Sequence, residues 1–292
     1  MWVLMRSIFF AFYLVLSPVF VFAQHCSEST WIHDFEEAWD NRGQIDNLDC
    51  YRNLINDMDQ ARTIRASIWE LLDTKLPRIG YKVVGLDPIN AALDGVDRPM
   101  VGALYEGMMM MSGDPFSLSS AQVVITEPDF LVTVKDPRIM EATTLLEALP
   151  YLDRVYAFIE TLAPTFVNNP ANAYLMHSAN IMARWGVIGE SVQVENSQAF
   201  LDSLESMRVT FFDQDGNILA DQPGSYLGEN PLNGVMVVID ELRREGLSLS
   251  AGDVISSGSY MPPILVTEPV TYTTRYEGIG GQDISVSTTF IP

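Results

Sequence analysis

The chain has 292 residues, is 48% hydrophobic and carries a formal charge of -21 from 38 acidic and 17 basic residues. Its length and apolar content suffice for one large core, while the acidity argues against nucleic acid as a partner and repels anions unless positive charge is placed locally. Only three lysines occur, Lys75, Lys82 and Lys135, and the histidines and cysteines have no zinc-site spacing.

Met1 to Ala23 has one positive charge at Arg6, an apolar stretch from Ile8 to Leu16, and a small residue at its end before Gln24. This is the layout of a cleaved signal peptide. A retained anchor is the alternative, because apolar character runs on to Phe22, but Pro18 opposes an unbroken helix. Cleavage removes Arg6, takes the formal charge from -21 to -22, and implies a periplasmic or secreted protein with no membrane segment. In that oxidising compartment a Cys26–Cys50 disulfide is expected, with two free buried thiols as the alternative.

Residues 24–78 read as a helical region. Helices are expected from Trp31 to Trp39 and from Tyr51 to Leu72, where Leu54, Ile55, Met58, Ala61, Ile64, Ile68, Leu71 and Leu72 recur near a 3.6 spacing. Asp49 is a candidate N-cap, and Pro77 stops the helical pattern. From Ile79 the texture changes to short strands, so 79–292 reads as a second domain. Its strands are expected at Tyr81 to Val84, Val123 to Val134, Val155 to Ile159, Arg208 to Phe212, Ile218 to Asp221, Val254 to Ser256, Val270 to Tyr276 and Ile284 to Phe290. Asp213 to Asn217 carries the Asp-Gly step of a hairpin turn. Helices are expected at Thr144 to Leu149, Ala173 to Trp185 and Pro231 to Glu245, the last ending before Gly246. The class is α+β.

The segment "VVITEPDFLVTV", Val123 to Val134, is a β-branched, apolar strand that contains Glu127 and Asp129. Residues at i and i+2 of a strand share a face, so both carboxylates project into one pocket. Pro128 between them cannot donate a ladder hydrogen bond, which favours an edge strand or a bulge. Glu160 ends a second apolar strand, "VYAFIETLAP". Three carboxylates in one pocket would suit a hard cation, Mg²⁺ foremost, or Mn²⁺ or Ca²⁺. From spacing alone, Glu160 facing water is the plainer alternative. Lys82, in "IGYKVVGLDP", either snorkels to solvent or faces the same pocket as a charge partner and proton donor. The turn at Ser256, Ser257, Gly258 and Ser259 either cradles a carboxylate with its N–H groups and hydroxyls or is purely structural.

These segments, together with "GYKVVGL", "DGVDRPMVGALYEGMM", "SANIMARWGVIGE", "SYLGENPLNGVMVVIDELRREGLSLSAGDVISSGS" and "YEGIGGQDISVSTTF", resemble in order and spacing the 2-keto-4-pentenoate hydratase family of the fumarylacetoacetate hydrolase superfamily. The resemblance runs from about Trp31 to Phe290 and is most specific from Gly228 to Ser259. It implies a helical N-terminal part followed by a rolled, mixed β-sheet domain. It also implies a divalent cation held by Glu127, Asp129 and Glu160, with Asp129 where relatives carry Glu. In relatives the cation chelates the 1-carboxylate and 2-oxo group of an enolisable 2-oxo acid, and the family's active-site lysine falls on Lys82. Substrate contacts are carried over to Asn180, Ser257, Gly258 and Ser259, and a homo-oligomer is the implied assembly.

Two positions depart from the family pattern. Met100 stands where hydratases carry an acid, and Met182 where they carry a serine; Asp97 is a candidate stand-in for the acid. The resulting expectation is an exported, metal-dependent hydratase or lyase acting on a 2-oxo acid or its enol. A decarboxylase, tautomerase or C–C hydrolase is the alternative chemistry, and a binding protein without turnover is the alternative class.

Overall fold

The computed structural model describes residues 26–45, 48–86, 98–166 and 172–292. The expected signal peptide at 1–23 and Asp97 lie outside the described residues. Helix α1 (Glu28–Asn41) starts at Ser27, whose side chain accepts from Thr30 N while the Thr30 hydroxyl accepts from Ser27 N, a reciprocal cap that satisfies two orphan donors. Where one helix was expected from Tyr51 to Leu72, there are two, α2 (Leu48–Leu54) and α3 (Met58–Asp73). The Asp57 side chain accepts from Gln60 N and starts the second helix. A short polar residue serves the backbone better as a cap than inside a helix. Asp49 lies within α2 rather than ahead of it.

Cys26 and Cys50 are bonded, with their Cα atoms 6.0 Å apart. The bond ties the chain ahead of α1 to α2. Trp31, Phe35 and Trp39 on α1 and Ile64, Ile68 and Trp69 on α3 belong to the same buried cluster as the sheet residues Val83, Phe130 and Ile159. The helical part therefore shares its core with the β-rich part.

That part holds strands β1 (Arg78–Val84), β2 (Met100–Tyr105), β3 (Met109–Met111), β4 (Pro115–Ser117), β5 (Ile125–Val134), β6 (Leu152–Leu162) and β7 (Trp185–Gln193), then β8 (Arg208–Asp213), β9 (Ile218–Pro223), β10 (Val254–Ser259), β11 (Ile264–Leu265), β12 (Val270–Ile279) and β13 (Gln282–Ile291). Among the described residues they form an eight-stranded mixed sheet in the order β2-β1-β10-β5-β6-β7-β3, with β11 on β5, and a five-stranded sheet in the order β4-β13-β12-β8-β9. Strand β1 runs parallel to β10, while β10, β5, β6 and β7 alternate in direction. The second sheet is fastened to the first by Tyr276 of β12, whose hydroxyl donates to the carbonyl oxygens of Asp129 and, at 3.2 Å, Phe158.

Four further helices, α4 (Leu145–Ala148), α5 (Ala173–Ser178), α6 (Gln198–Ser206) and α7 (Asn233–Glu245), lie between strands. Helix α7 ends at Gly246 in the left-handed conformation at φ 69°, which glycine adopts freely. The fully buried Arg65 of α3 joins this helix to the edge of the sheet, donating to Glu241 Oε1 at 3.1 Å and Val101 O at 3.0 Å. The helix expected to run from Ala173 to Trp185 stops at Ser178; Asn180, Ile181 and Met182 follow with φ of 58°, 43° and 59°, and Trp185 already starts β7.

Pro128 does not mark an edge, because β5 lies inside the sheet between β10 and β6. The bulge alternative is the one seen: the β10 register shifts between Ser256 and Ser259, opposite Leu131 and Asp129. Pro128 O accepts from Tyr260 N on that side. The missing Pro128 N–H, which would point the same way as its carbonyl, therefore falls where the ladder is already broken.

The disulfide closes a loop of 24 residues, a constraint on the unfolded chain worth about 3 kcal/mol. Replacing both Cys26 and Cys50 with Ser is expected to lower unfolding free energy by about that amount in urea titrations, leaving the fold of the sheets intact. An unchanged midpoint would show that the bond does not form.

Candidate active site

Four neighbouring strands, β1, β10, β5 and β6, each contribute to one cluster. Glu127 and Glu160 are register partners across β5 and β6, and Asp129 comes two residues along the same face of β5. One carboxylate oxygen from each of the three lies within 4.8 Å of the others. All three are buried: Glu127 is 7%, Asp129 0% and Glu160 2% exposed. Lys82 of β1 reaches them from the far side and, alone among the three lysines, is buried, with Nζ 2.6 Å from Glu160. It does not snorkel.

Asp129 is held by donors that the bulge supplies. Ser256 Oγ donates to Oδ2 at 2.7 Å and Gly258 N to Oδ1 at 2.9 Å, joined by Phe130 N. Gly258 takes φ 114°, which a side chain would disfavour, and that conformation turns its N–H toward the carboxylate. Burial, then the charge of Glu160, raises the Glu127 carboxyl well above the ordinary range, with Lys82 opposing. The same two causes lift Asp129 to about 7 against the pull of the Ser256 hydroxyl. Three carboxylates and one ammonium leave two negative charges, the complement of a divalent cation, and the donor set is all hard oxygen. The residues fit such an ion.

Glu127, Lys82, Gly258 and Ser259 line a cleft of about 580 Å³ counting its mouth, whose apolar wall includes Leu162, Ile181, Met182 and Leu227. Two expected substrate contacts are not there. The Asn180 amide is spent on the protein: Oδ1 accepts from Trp69 Nε1 at 2.8 Å and Ala103 N at 2.6 Å, and Nδ2 donates to Ala103 O at 2.9 Å. It pairs with the outer edge of β2, the last strand of the sheet, as another strand would. Ser257 points to the opposite face of β10, against Gly234 of α7, where an added β-carbon would lie 2.8 Å from Ser257 Oγ. Period-2 alternation explains this, since Ser256 and Gly258 share the site face and Ser257 cannot. Ser259 lines the cleft, although its hydroxyl donates to Met261 O at 2.6 Å.

Of the two departures from the family pattern, Met100 is core, 1% exposed on β2, and Met182 faces the cleft. Gly102 permits this wall, because a β-carbon there would fall 2.5 Å from Ile181 Cγ1 and 2.8 Å from Asn180 O. The turn read as a carboxylate cradle does hold one through Ser256 and Gly258, but it is the protein's own Asp129; Tyr276 was not foreseen as a site residue. The strand alternation of "VISSGS" carries the signal for Ser256, whereas nothing local to Tyr276 says that it crosses between sheets.

No family model matches the chain. Among curated proteins it is similar to a 2-keto-4-pentenoate hydratase of Burkholderia vietnamiensis, 25% identical over 223 residues, covering 73% of this chain and 78% of the relative. Among solved structures it is similar to 4-oxalocrotonate decarboxylase from Pseudomonas putida G7 at 20% identity. The TM-score is 0.78 against that enzyme's magnesium and adipate complex, covering 91% of this chain and 99% of that one, and 0.76 against its calcium and acetate complex, covering 90% and 97%. A fumarylacetoacetate isomerase/hydrolase-like protein from Oleispira antarctica aligns at 14% identity, TM-score 0.53, over 74% of this chain and 95% of that one. These similarities support the resemblance to the 2-keto-4-pentenoate hydratase family and the fumarylacetoacetate hydrolase superfamily. The α+β fold with its helical N-terminal part and curled mixed sheet is shared with the decarboxylase structures.

Mg²⁺ or Mn²⁺ is expected to raise the melting temperature, by about 2.7 kcal/mol of stability at a hundredfold excess over Kd, and Glu127→Gln to abolish that increment without unfolding the protein. The folded state holds the Glu127 and Asp129 protons more tightly than the unfolded chain. The stability of chelator-treated protein should therefore fall as pH rises from about 4 toward the Asp129 value of about 7, and the metal increment should grow over the same range. Equal stabilisation of wild type and variant, or a flat pH profile, would place the ion elsewhere.

Proposed function

We propose that the protein is an exported hydro-lyase acting on a 2-oxo acid or its enol, with a divalent cation, Mg²⁺ foremost, held by Glu127, Asp129 and Glu160. The observation that carries this reading is the buried Lys82 ammonium, 2.6 Å from Glu160 at the wall of the cleft. The bound cation would supply Lewis-acid polarisation of the substrate's 2-oxo group. Ser256 and Gly258 N hold Asp129 in one orientation. Lys82 Nζ is the basic group among the described cleft residues that can give or take a proton at C3 of the acid. Its positive charge also offsets the substrate carboxylate in a strongly acidic protein. Leu162, Ile181, Met182 and Leu227 keep water from the carbon chain.

Decarboxylation, tautomerisation and C–C hydrolysis need the same polarised 2-oxo group and differ in where a proton or water enters. Export is supported by the composition of residues 1–23 and by the Cys26–Cys50 bond. Among the described residues no helix is long and apolar enough to cross a membrane. Assembly into a homo-oligomer is carried over from the family resemblance. A second reading, a 2-oxo acid-binding protein without turnover, is favoured by one observation: Met182 lines the cleft where hydratases carry a serine.

Lys82→Met is expected to keep the Mg²⁺-dependent rise in melting temperature but to weaken binding of a simple 2-oxo acid. It should also slow exchange of the acid's C3 protons in D₂O, monitored by NMR, by about 10²-fold or more. Wild type that binds the acid without exchange supports the binding protein. Exchange that survives in Lys82→Met removes the lysine from the chemistry.

A further inference from the structure

Behind the cleft lies a second, smaller pocket. Its walls include Trp39, Arg42, Ala163, Thr165, Met182 and Arg184. The two spaces abut along two stretches of chain: Leu162 lines the first and Ala163 the second, and Ile181 lines the first and Ala183 the second. Met182 lines both. The left-handed turn at Asn180 to Met182, clamped to Trp69 and Ala103, thus forms the partition.

The second pocket is basic in a protein of formal charge -21. Arg184 is half-buried, its guanidinium 3.9 Å over the Trp39 ring, and donates to Trp39 O at 2.8 Å. Among the described residues neither Arg184 nor Arg42 forms an ion pair. Burial and then the charge of Arg42 bring Arg184 down to about 10, opposed by Asp40. Thr165, 7% exposed, lines the same pocket with a hydroxyl that has no hydrogen-bond partner. A partly desolvated guanidinium with no carboxylate within ion-pair distance, the Asp40 carboxylate being paired with Lys75, is costly unless an anion completes it, and an orphaned buried hydroxyl calls for a partner too.

We propose that this pocket is an anion subsite in which Arg184, Arg42 and Thr165 receive a distal carboxylate of the substrate, making the preferred ligand a 2-oxo dicarboxylic acid. Met182, an unbranched side chain with three rotatable bonds, turns aside to let the carbon chain pass from one space to the other. The inference rests on the proposed function for the position of the 2-oxo end, while the charge pattern of the second pocket stands by itself.

The test compares 2-oxohexanoate with 2-oxoadipate, which differ at the far end as methyl and carboxylate, by calorimetric titration into Mg²⁺-loaded full-length protein. Wild type is expected to bind 2-oxoadipate at least about tenfold more tightly, as a charge-assisted contact provides. Arg184→Met should lose that preference while binding 2-oxohexanoate as wild type does. Thr165→Val, nearly isosteric, should lose part of it, and this variant decides the question if Arg184→Met does not fold. Equal affinities in wild type, or a preference retained in both variants, would overturn the subsite. If 2-oxohexanoate fails to bind but 2-oxoadipate binds in an Arg184-dependent way, the anion pocket stands and the proposed function falls. Binding of neither acid overturns both.

Discussion

Three carboxylates and one lysine in a space from which water is largely excluded set the terms for the rest of the molecule. At 7%, 0% and 2% exposure, Glu127, Asp129 and Glu160 cannot be screened by solvent, and like charges so close strengthen the hold of Glu127 and Asp129 on their protons. Lys82 answers one of the three charges. The remainder is matched by a dication, and the oxygen-only donor set selects the hard ones. A buried charge cluster of this kind is poor evidence for stability; its retention is understandable only through what it binds.

The fold serves this cluster by placing four adjacent strands so that each presents a group to one point. The bulge in β10 is central, since it aims Gly258 N and Ser256 Oγ at the two oxygens of Asp129 and accommodates Pro128, which has no N–H to give. Tyr276 ties the second sheet to the carbonyl of the same aspartate. On the other side of the cleft, Trp69 from the N-terminal helices fixes Asn180, and Asn180 fixes the left-handed turn carrying Ile181 and Met182. The helical part therefore shapes the substrate wall, and its shared core with the sheet accords with that role.

Much of this is legible in the sequence because it rests on local period. The alternation of β5 places Glu127 and Asp129 on one face, and the helix pattern from Asn233 to Glu245 with its terminal glycine needs nothing distant. The features that escape such reading depend on partners far along the chain. Strands β2 and β3 lie in a segment rich in Met, Gly and Ala, and β7 follows directly on an apolar run that reads as helix, so none of the three has a clear alternation. The helix expected from Ala173 runs too far because an apolar run does not reveal that Asn180 is claimed by Ala103 and Trp69. Family position assigns Asn180 and Ser257 to the substrate, yet one is spent on the edge of β2 and the other faces α7. The convergence of Glu160 and Lys82 with the β5 pair comes from resemblance and not from spacing, since strand register is a property of the sheet.

The central claim is that the crowded carboxylates Glu127, Asp129 and Glu160 are the ligands of a divalent cation. Counting the protons released when Mg²⁺ binds, by titration calorimetry at about pH 6 in buffers of different ionisation enthalpy, tests it most directly. The account predicts release of at least about one proton per ion, since ligands must shed their protons to coordinate, and loss of both binding and release in Glu160→Gln. Mg²⁺ binding that releases no proton, or that survives unchanged in Glu160→Gln, would contradict it.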